Sequence, residues 1–196
     1  MRALVKQSAA PGMTLREVPR PAYGLTDALI RVRHAGVCGT DLHIWEWDSW
    51  AAGRLRPPVV VGHEFAGEIV ELGSEAAAAG LLSVGDLVTA EGHIVCGHCL
   101  QCRTGSAHLC QRTQVIGVDR DGAFAEFVTV PAHSVFRLPD SMSFMAGAYM
   151  EPVAASMAVL NADIHPRQKG LIYGDNRISR LTERVLLAKG FADVTV

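Results

Sequence analysis

Residues 61–68 read VGHEFAGE. They overlap the start of Glu64–Leu72, a strand-like run that contains Val, Ile and Leu. Further short runs of this kind occur along the first 140 residues: Arg2–Gln7, Thr14–Val18, Ala28–Ala35, Asp86–Glu91 and Phe124–Val130. Turn-forming pairs separate them, as at Pro11-Gly12, Pro57-Pro58 and Asp121-Gly122. Short strands joined by such turns predict a mainly β core of the barrel or sandwich type.

A different pattern follows in the last third of the chain. Met150–Ala162 carries apolar residues at helical spacing. The apolar run Gly170–Gly174, the amphipathic stretch Ile178–Lys189 and the apolar run Ala192–Val196 come next. This order predicts a linking helix followed by one strand–helix–strand unit, so that the fold class is α+β with a dominant β part.

Composition limits the classes of function. Of the 196 residues, 49% are hydrophobic and 19% are charged, which is typical of a folded globular chain. The formal net charge of −2 gives no electrostatic basis for binding nucleic acid or an anionic membrane. The first residues show no signal peptide, and no apolar run reaches the roughly 20 residues of a membrane span. We therefore expect a soluble, cytoplasmic protein.

Four of the five cysteines lie within 15 residues, as Cys96-x-x-Cys99-x-x-Cys102 followed by Cys110. Zinc takes four thiolates at tetrahedral corners, about 2.3 Å from the metal, and closely spaced CxxC turns bring sulfur atoms to that range. Disulfides are one alternative, and an iron–sulfur cluster is another, although Cys110 lacks the following proline of one common cluster motif. The spacing favours a closed, structural zinc site.

Five segments follow one another along the chain: CGTDLH at 38–43, VGHEFAGE at 61–68, VGD at 84–86, the four cysteines, and Glu151-Pro152. Together they resemble the zinc-containing medium-chain dehydrogenase/reductase family, which includes the alcohol dehydrogenases. Residues 43–50 (HIWEWDSW) and 91–97 (EGHIVCG) add a resemblance to the threonine, butanediol and sorbitol dehydrogenases within it. The resemblance covers the chain up to about Ala162.

The resemblance implies a domain organisation. Residues 1–150 correspond to a GroES-like β-barrel catalytic domain, which contains a zinc-binding segment at residues 92–112, here called the cysteine lobe. Residues 151–196 correspond to a linking helix and a truncated strand–helix–strand remnant of a Rossmann domain.

The resemblance also implies a catalytic zinc. Cys38, His63 and Glu151 are the expected ligands, with Glu64 as a further or exchanging ligand. Such a mixed set of thiolate, imidazole and carboxylate suits a catalytic metal that keeps one position for water or substrate. Two zinc ions per chain are therefore expected.

Catalytic and substrate-binding residues follow from the same resemblance. Thr40 and His43 are expected to carry a proton from the substrate hydroxyl group to solvent, and Glu64 is a further candidate for handling protons. Histidine suits a relay because its charge changes near neutral pH. His93 and Trp50 are candidates for substrate binding. Alternatively, His93 is an ordinary loop histidine and the tryptophans serve core or lid packing.

The dinucleotide-binding turn departs from the family pattern. Instead of GxGxxG, residues 174–179 read GDNRIS, with Asn176 and Ser179 at the second and third glycine positions. Asp175 adds a negative charge where a diphosphate would lie, and no acidic residue follows the last predicted strand. From these features we expect NAD(P) not to bind in the usual way.

Three functions remain open at this point. The first is a zinc enzyme that performs non-redox chemistry on a small hydroxy, amino or carbonyl compound without its own NAD. The second is a zinc alcohol or amino-alcohol dehydrogenase whose NAD half is supplied elsewhere or is missing. The third is a zinc-stabilised scaffold without activity. An unpaired strand edge at Ala192–Val196 further predicts a homodimer.

Overall fold

Strand Glu64–Leu72 lies at the centre of a five-stranded antiparallel sheet. The computed structural model describes residues 1–196, which form two units, Met1–Ala148 and Tyr149–Val196. The strands of the first unit are β1 (Arg2–Lys6), β2 (Thr14–Glu17), β3 (Asp27–Gly36), β4 (Val59–Val60), β5 (Glu64–Leu72), β6 (Leu87–Ala90), β7 (His93–Ile94), β8 (Gln114–Val115), β9 (Phe127–Pro131) and β10 (Val135–Arg137). Its helices are α1 (Gly39–Glu46), α2 (Ser49–Arg54), α3 (Ser74–Ala78), α4 (Leu100–Arg103) and α5 (Phe144–Ala148).

The main core of the first unit forms around the sheet β10-β6-β5-β3-β9. Ile30 on β3, Phe65 on β5 and Val88 on β6 are completely buried. Burial of one such side chain contributes about 1.5–3 kcal/mol to folding. The register pairs Gly36 at the end of β3 with Glu64 at the start of β5, so both strands meet at the edge where the candidate site lies.

A smaller antiparallel sheet, β2-β1-β4, supplies a second core. Ala3, Val5 and Val60 are buried there. Lys6, the last residue of β1, pairs with Val59 and is also fully buried. The two-stranded sheet β7–β8 brackets most of the cysteine lobe, because His93 pairs with Val115 and Ile94 with Gln114.

The predicted β-rich character of residues 1–140 is confirmed, since each predicted strand run overlaps an observed strand. The short strands β4, β7, β8 and β10 were not predicted, because two or three residues are too few to show a period of two. Helices α1 and α2 were not predicted either. Capping residues start both of them: Asp41 accepts the N–H of Cys38 ahead of α1, and Asp48 accepts the N–H of Ala51 in α2.

The second unit contains α6 (Met150–Met157), β11 (Gly170–Leu171), α7 (Arg177–Ala188) and β12 (Val194–Thr195). Strands β11 and β12 are parallel, with α7 between them in the chain, so the predicted strand–helix–strand unit is confirmed. The predicted helix 150–162 is shorter as an α-helix and continues as a 3-10 helix at Ala158–Asn161. No helix of either unit combines the length and the apolar character that crossing a bilayer requires.

Candidate metal centres

Cys38, His63 and Glu64 come together at the ends of β3 and β5. The Sγ atom of Cys38, an imidazole nitrogen of His63 and a carboxylate oxygen of Glu64 all lie within 4.8 Å of one another. His63 and Glu64 are buried, whereas Cys38 is partly exposed. A thiolate, an imidazole and a carboxylate are the donors that zinc takes in proteins. The set therefore fits a zinc ion that is reached from the Cys38 side.

The environment of Cys38 favours its thiolate form. Cys38 occupies the position before the first residue of α1, where backbone N–H groups point outward. The pKa of Cys38 is lowered mainly by a hydrogen bond from His63 and also by the N–H and hydroxyl groups of Thr40, although burial opposes the shift. Because the thiolate is the form that binds metals, these hydrogen bonds favour metal binding by Cys38.

His63 is placed by a backbone conformation that requires glycine at the preceding position. Gly62 has a φ of +92°, in the region that residues with side chains avoid, and a Cβ atom there would lie 2.6 Å from Cγ of Phe124. A Cβ atom at Gly117 would in turn lie 2.7 Å from the backbone of Gly62. Glycine at positions 62 and 117 thus allows the close packing and the positive φ that direct the chain into His63.

The position of Glu64 depends on the absence of a side chain at Gly36. The two residues are paired across β3 and β5. A Cβ atom at position 36 would lie 2.5 Å from Oε2 of Glu64 and 3.2 Å from its Cβ atom. Contacts this close force one of the two groups to move, so glycine at position 36 makes room for the carboxylate.

We expect Gly36→Ala to weaken zinc binding at this site by about tenfold or more, because a displaced carboxylate is lost as a ligand or hydrogen-bond partner. Overpacking of this kind costs about 1–3 kcal/mol, so the protein should still fold. Competition with a chromophoric chelator measures the affinity. Gly39→Ala is the matched control, since a Cβ atom there meets nothing within 4 Å. Equal affinity in both variants would contradict the role of Gly36.

The predicted proton-transfer residues lie on one side of α1. Thr40 and His43 are three residues apart, a spacing that places side chains on one helix face. Oγ1 of Thr40 is 3.7 Å from Sγ of Cys38. Nδ1 of His43 is 2.6 Å from Oδ2 of Asp48, and the His43 side chain is 57% exposed. The ring of Trp50 lies 6.1 Å from the His43 ring. Thr40 thus lies beside Cys38 and His43 is exposed to solvent, while the proton route between them stays a prediction.

Asp48 is held as a carboxylate by its surroundings. Its pKa is lowered first by the N–H of Ala51, which it caps, and then by the hydrogen bond with His43. An ionised Asp48 accepts the Nδ1 proton of His43 and so fixes the orientation of the ring. Asp48 was not among the predicted site residues. Its position directly before the Ser49–Arg54 helix is the signal that could have identified it.

His93 and Glu151 are the remaining predicted site residues. Nδ1 of His93 is 2.8 Å from Oε1 of Glu91, and His93 lines a cavity of about 460 Å³ together with His108 and His133. Cys38, His63 and Glu64 do not line this cavity. Substrate binding by His93 therefore stays a prediction. Glu151 is the second residue of α6 and belongs to the second unit, so its role as a zinc ligand also stays a prediction.

The four cysteines of the lobe form a second cluster. Their Sγ atoms all lie within 4.8 Å of one another, with 3.5 Å between Cys99 and Cys102 and 3.9 Å between Cys99 and Cys110. A tetrahedron with zinc–sulfur distances of about 2.3 Å has sulfur–sulfur edges of about 3.8 Å. The sulfur atoms are thus spaced for a shared ion and are not joined as disulfides.

Backbone N–H groups support the negative charge of this cluster. The N–H groups of Cys96 and Arg112 each lie 3.4 Å from Sγ of Cys110. They lower the pKa of Cys110 to about 6, the N–H of Cys96 having the largest effect. Burial and the neighbouring thiol of Cys99 raise the pKa of Cys102 to about 12. Four thiolates this close repel one another, so a dication is the natural occupant.

Comparison with known proteins agrees with this architecture. Residues 24–140 match the alcohol dehydrogenase GroES-like domain family. L-threonine 3-dehydrogenase from Symbiobacterium thermophilum is 48% identical over 168 residues, which are 85% of this chain and 47% of that protein. The chain spans about half the length of the curated relatives it matches.

Solved structures show the same fold. Galactitol-1-phosphate dehydrogenase from Escherichia coli superposes with a TM-score of 0.88 at 28% identity, over 99% of this chain and 54% of that one. A protein described as a zinc-binding dehydrogenase from Sinorhizobium meliloti, bound to NADP, has a TM-score of 0.88 at 34% identity, over 98% of this chain and 54% of that one. Because that relative holds NADP, the expectation that NAD(P) does not bind has no support from the comparisons. The chain itself belongs to the alcohol dehydrogenase GroES-like domain family.

Proposed function

We propose that this chain binds zinc at Cys38, His63 and Glu64 and activates the hydroxyl group of a small hydroxy or amino-alcohol compound for dehydrogenation, with added NAD⁺ as the acceptor of the hydride. The observation that carries the proposal is the convergence of these three side chains beside Thr40 and a solvent-exposed His43. The identity of 48% to an L-threonine 3-dehydrogenase supports L-threonine as the first substrate to test.

Zinc supplies Lewis-acid polarisation, which lowers the pKa of a substrate hydroxyl group. The chain's own residues then carry the proton away. The hydroxyl group of Thr40, next to Cys38, can accept this proton and donate its own. With Nδ1 bonded to Asp48, Nε2 is the nitrogen of His43 that is left to take the proton and release it to water. Asp48 stabilises the protonated ring.

A second candidate, non-redox chemistry at the same site, is favoured by the turn before α7. The side chain of Asn176 accepts the N–H of Ser179, which is one of the first N–H groups of the helix. Asp175 forms an ion pair with Arg180, with 2.9 Å between Oδ1 and Nε. This turn lacks the glycines that let a diphosphate approach the backbone closely. Under this candidate the proton route is the same, but no hydride is transferred.

The two candidates are separated by turnover of the zinc-loaded full chain with L-threonine and with a vicinal diol, each with and without NAD⁺. We expect NADH to form with NAD⁺ present. Asp48→Asn should lower kcat by about tenfold or more, since general acid–base groups contribute about 10²–10⁴-fold to rate. Glu46→Gln removes an exposed carboxylate from the last residue of α1, two positions before Asp48, and should leave kcat unchanged.

Each other outcome has a defined meaning. A product that forms equally well without NAD⁺ would favour the non-redox candidate, and calorimetry with NAD(H) would then show no binding. A protein that holds both zinc ions but turns over neither compound in either condition would contradict both candidates and favour the scaffold function. The homodimer also stays a prediction, which light scattering tests.

A further inference from the structure

Lys6 is a fully buried cation without a carboxylate partner. Its Nζ atom donates to the carbonyl oxygens of Ala10 (2.5 Å), Gly12 (3.0 Å) and Trp45 (3.5 Å). It also lies 4.9 Å from the centre of the Trp47 ring. An ammonium group removed from water is costly unless its N–H donors are satisfied. Three carbonyls and an aromatic face provide that satisfaction here.

These contacts join strand β1 to the end of α1. The carbonyl group of Trp45 also accepts the N–H of Gly12, at 2.7 Å, so the 7–13 connection and the helix end share one bonded network around Lys6. Trp47 has a φ of 55°, a conformation that bulky residues rarely adopt and that persists only where the surroundings hold it. The indole of Trp47 lies against the Lys6 ammonium, which is one such restraint.

The same turn sets the position of Asp48. The carbonyl group of His43 accepts the N–H groups of Trp47 and Asp48, and the Asp48 carboxylate returns to Nδ1 of His43. A change in the backbone at Trp47 therefore moves the residue that orients His43. Burial lowers the pKa of Lys6, whereas its carbonyl partners favour the charged form.

We propose that Lys6 is a positioning residue, whose ammonium group fixes the turn at residues 45–48 and thereby holds the His43–Asp48 pair next to the metal centre. The expected effect on turnover rests on the proposed function of His43. The expected effect on the turn at residues 45–48 does not. In the sequence, Lys6 lies 32 positions before Cys38, the first proposed ligand. Its hydrogen-bond partners include none of the proposed ligands.

The test is Lys6→Met, which keeps the length and the apolar stem of the side chain and removes the ammonium group. All three tryptophans of the chain lie at positions 45, 47 and 50, so tryptophan fluorescence reports on this segment alone. We expect a red shift, stronger acrylamide quenching, and loss of the hydrogen-bonded Nδ1–H signal of His43 in NMR spectra. His43→Asn identifies that signal. At unchanged zinc content, kcat should fall by about tenfold or more, because small misplacements of catalytic groups are costly.

Val5→Ala is the matched control, since Val5 is buried on the same strand but packs in the Ala3–Val60 core. It should lower stability and leave the fluorescence and the His43 signal unchanged. If Lys6→Met does not fold, Lys6→Gln is measured in the same way. A variant that loses stability but keeps the wild-type emission and His43 signal would overturn the proposal. Absence of turnover in the wild type would contradict the proposed function, whereas fluorescence and NMR would still test Lys6.

Discussion

Cys99→Ser is expected to remove one zinc ion per chain and to unfold the cysteine lobe. Within the lobe, none of residues 95–109 is buried, and α4 contributes no buried side chain, so almost no apolar core holds this segment. Structural zinc sites contribute about 10–16 kcal/mol of binding free energy that is coupled to folding. The free energy of unfolding should therefore fall by more than about 3 kcal/mol, even with the β7–β8 pair intact.

Elemental analysis and limited proteolysis measure this result. Trypsin should cut rapidly after Arg103, inside the lobe, in Cys99→Ser and slowly in the wild type. Two zinc ions per chain in the variant, or unchanged protection at Arg103, would show that the four cysteines do not hold a structural ion. A protein that binds one zinc ion in the wild type would contradict the two-site prediction.

Cys38→Ser is expected to abolish turnover while leaving the fold intact. Loss of a supporting partner of a ligand already costs about 10–100-fold in metal affinity, and loss of the thiolate itself should cost at least as much. The helix should survive, because serine is among the preferred residues before a helix and can keep the arrangement with Asp41. Zinc content should fall from two ions to one, and the unfolding midpoint should change little.

The two serine variants serve as controls for each other. Cys38→Ser should keep protection at Arg103, and Cys99→Ser should lose it. Residual turnover of Cys38→Ser near the wild-type level, with one zinc ion bound, would exclude Cys38 as a ligand of the catalytic metal.

Sequence patterns predicted the long elements of this fold and missed those that depend on few residues. Strand β5 was predicted with its observed bounds because five of its nine residues are apolar and a glycine-containing turn signal stands on each side of it. Strand β4 was missed because Val59 and Val60 alone carry no period. Helix α1 was missed because its apolar residues face both core and solvent: Ile44 is buried, whereas Leu42 and Trp45 are more than half exposed.

Site residues could be predicted where the side chain itself binds a metal or moves a proton. They could not be predicted where the role depends on the packing of residues that are distant in sequence. The four cysteines were found from spacing alone, and Cys38, His63 and Glu64 from a resemblance. Gly36 could not be found, because its role is the volume that it leaves for Glu64, 28 positions further along the chain. The contacts of Lys6 likewise span 39 positions to Trp45 and have no local signature.

The pairing of Gly36 with Glu64 restricts the routes by which this chain can evolve. A side chain at position 36 fits without displacing its neighbour only after the carboxylate at position 64 has been shortened or lost, because both groups compete for the same volume. If position 36 mutates first, the new side chain displaces the carboxylate of Glu64. If position 64 mutates first to a smaller residue, the volume that a side chain at position 36 needs becomes free. The effect of either substitution thus depends on the other, and selection on one acidic side chain keeps a distant glycine in place.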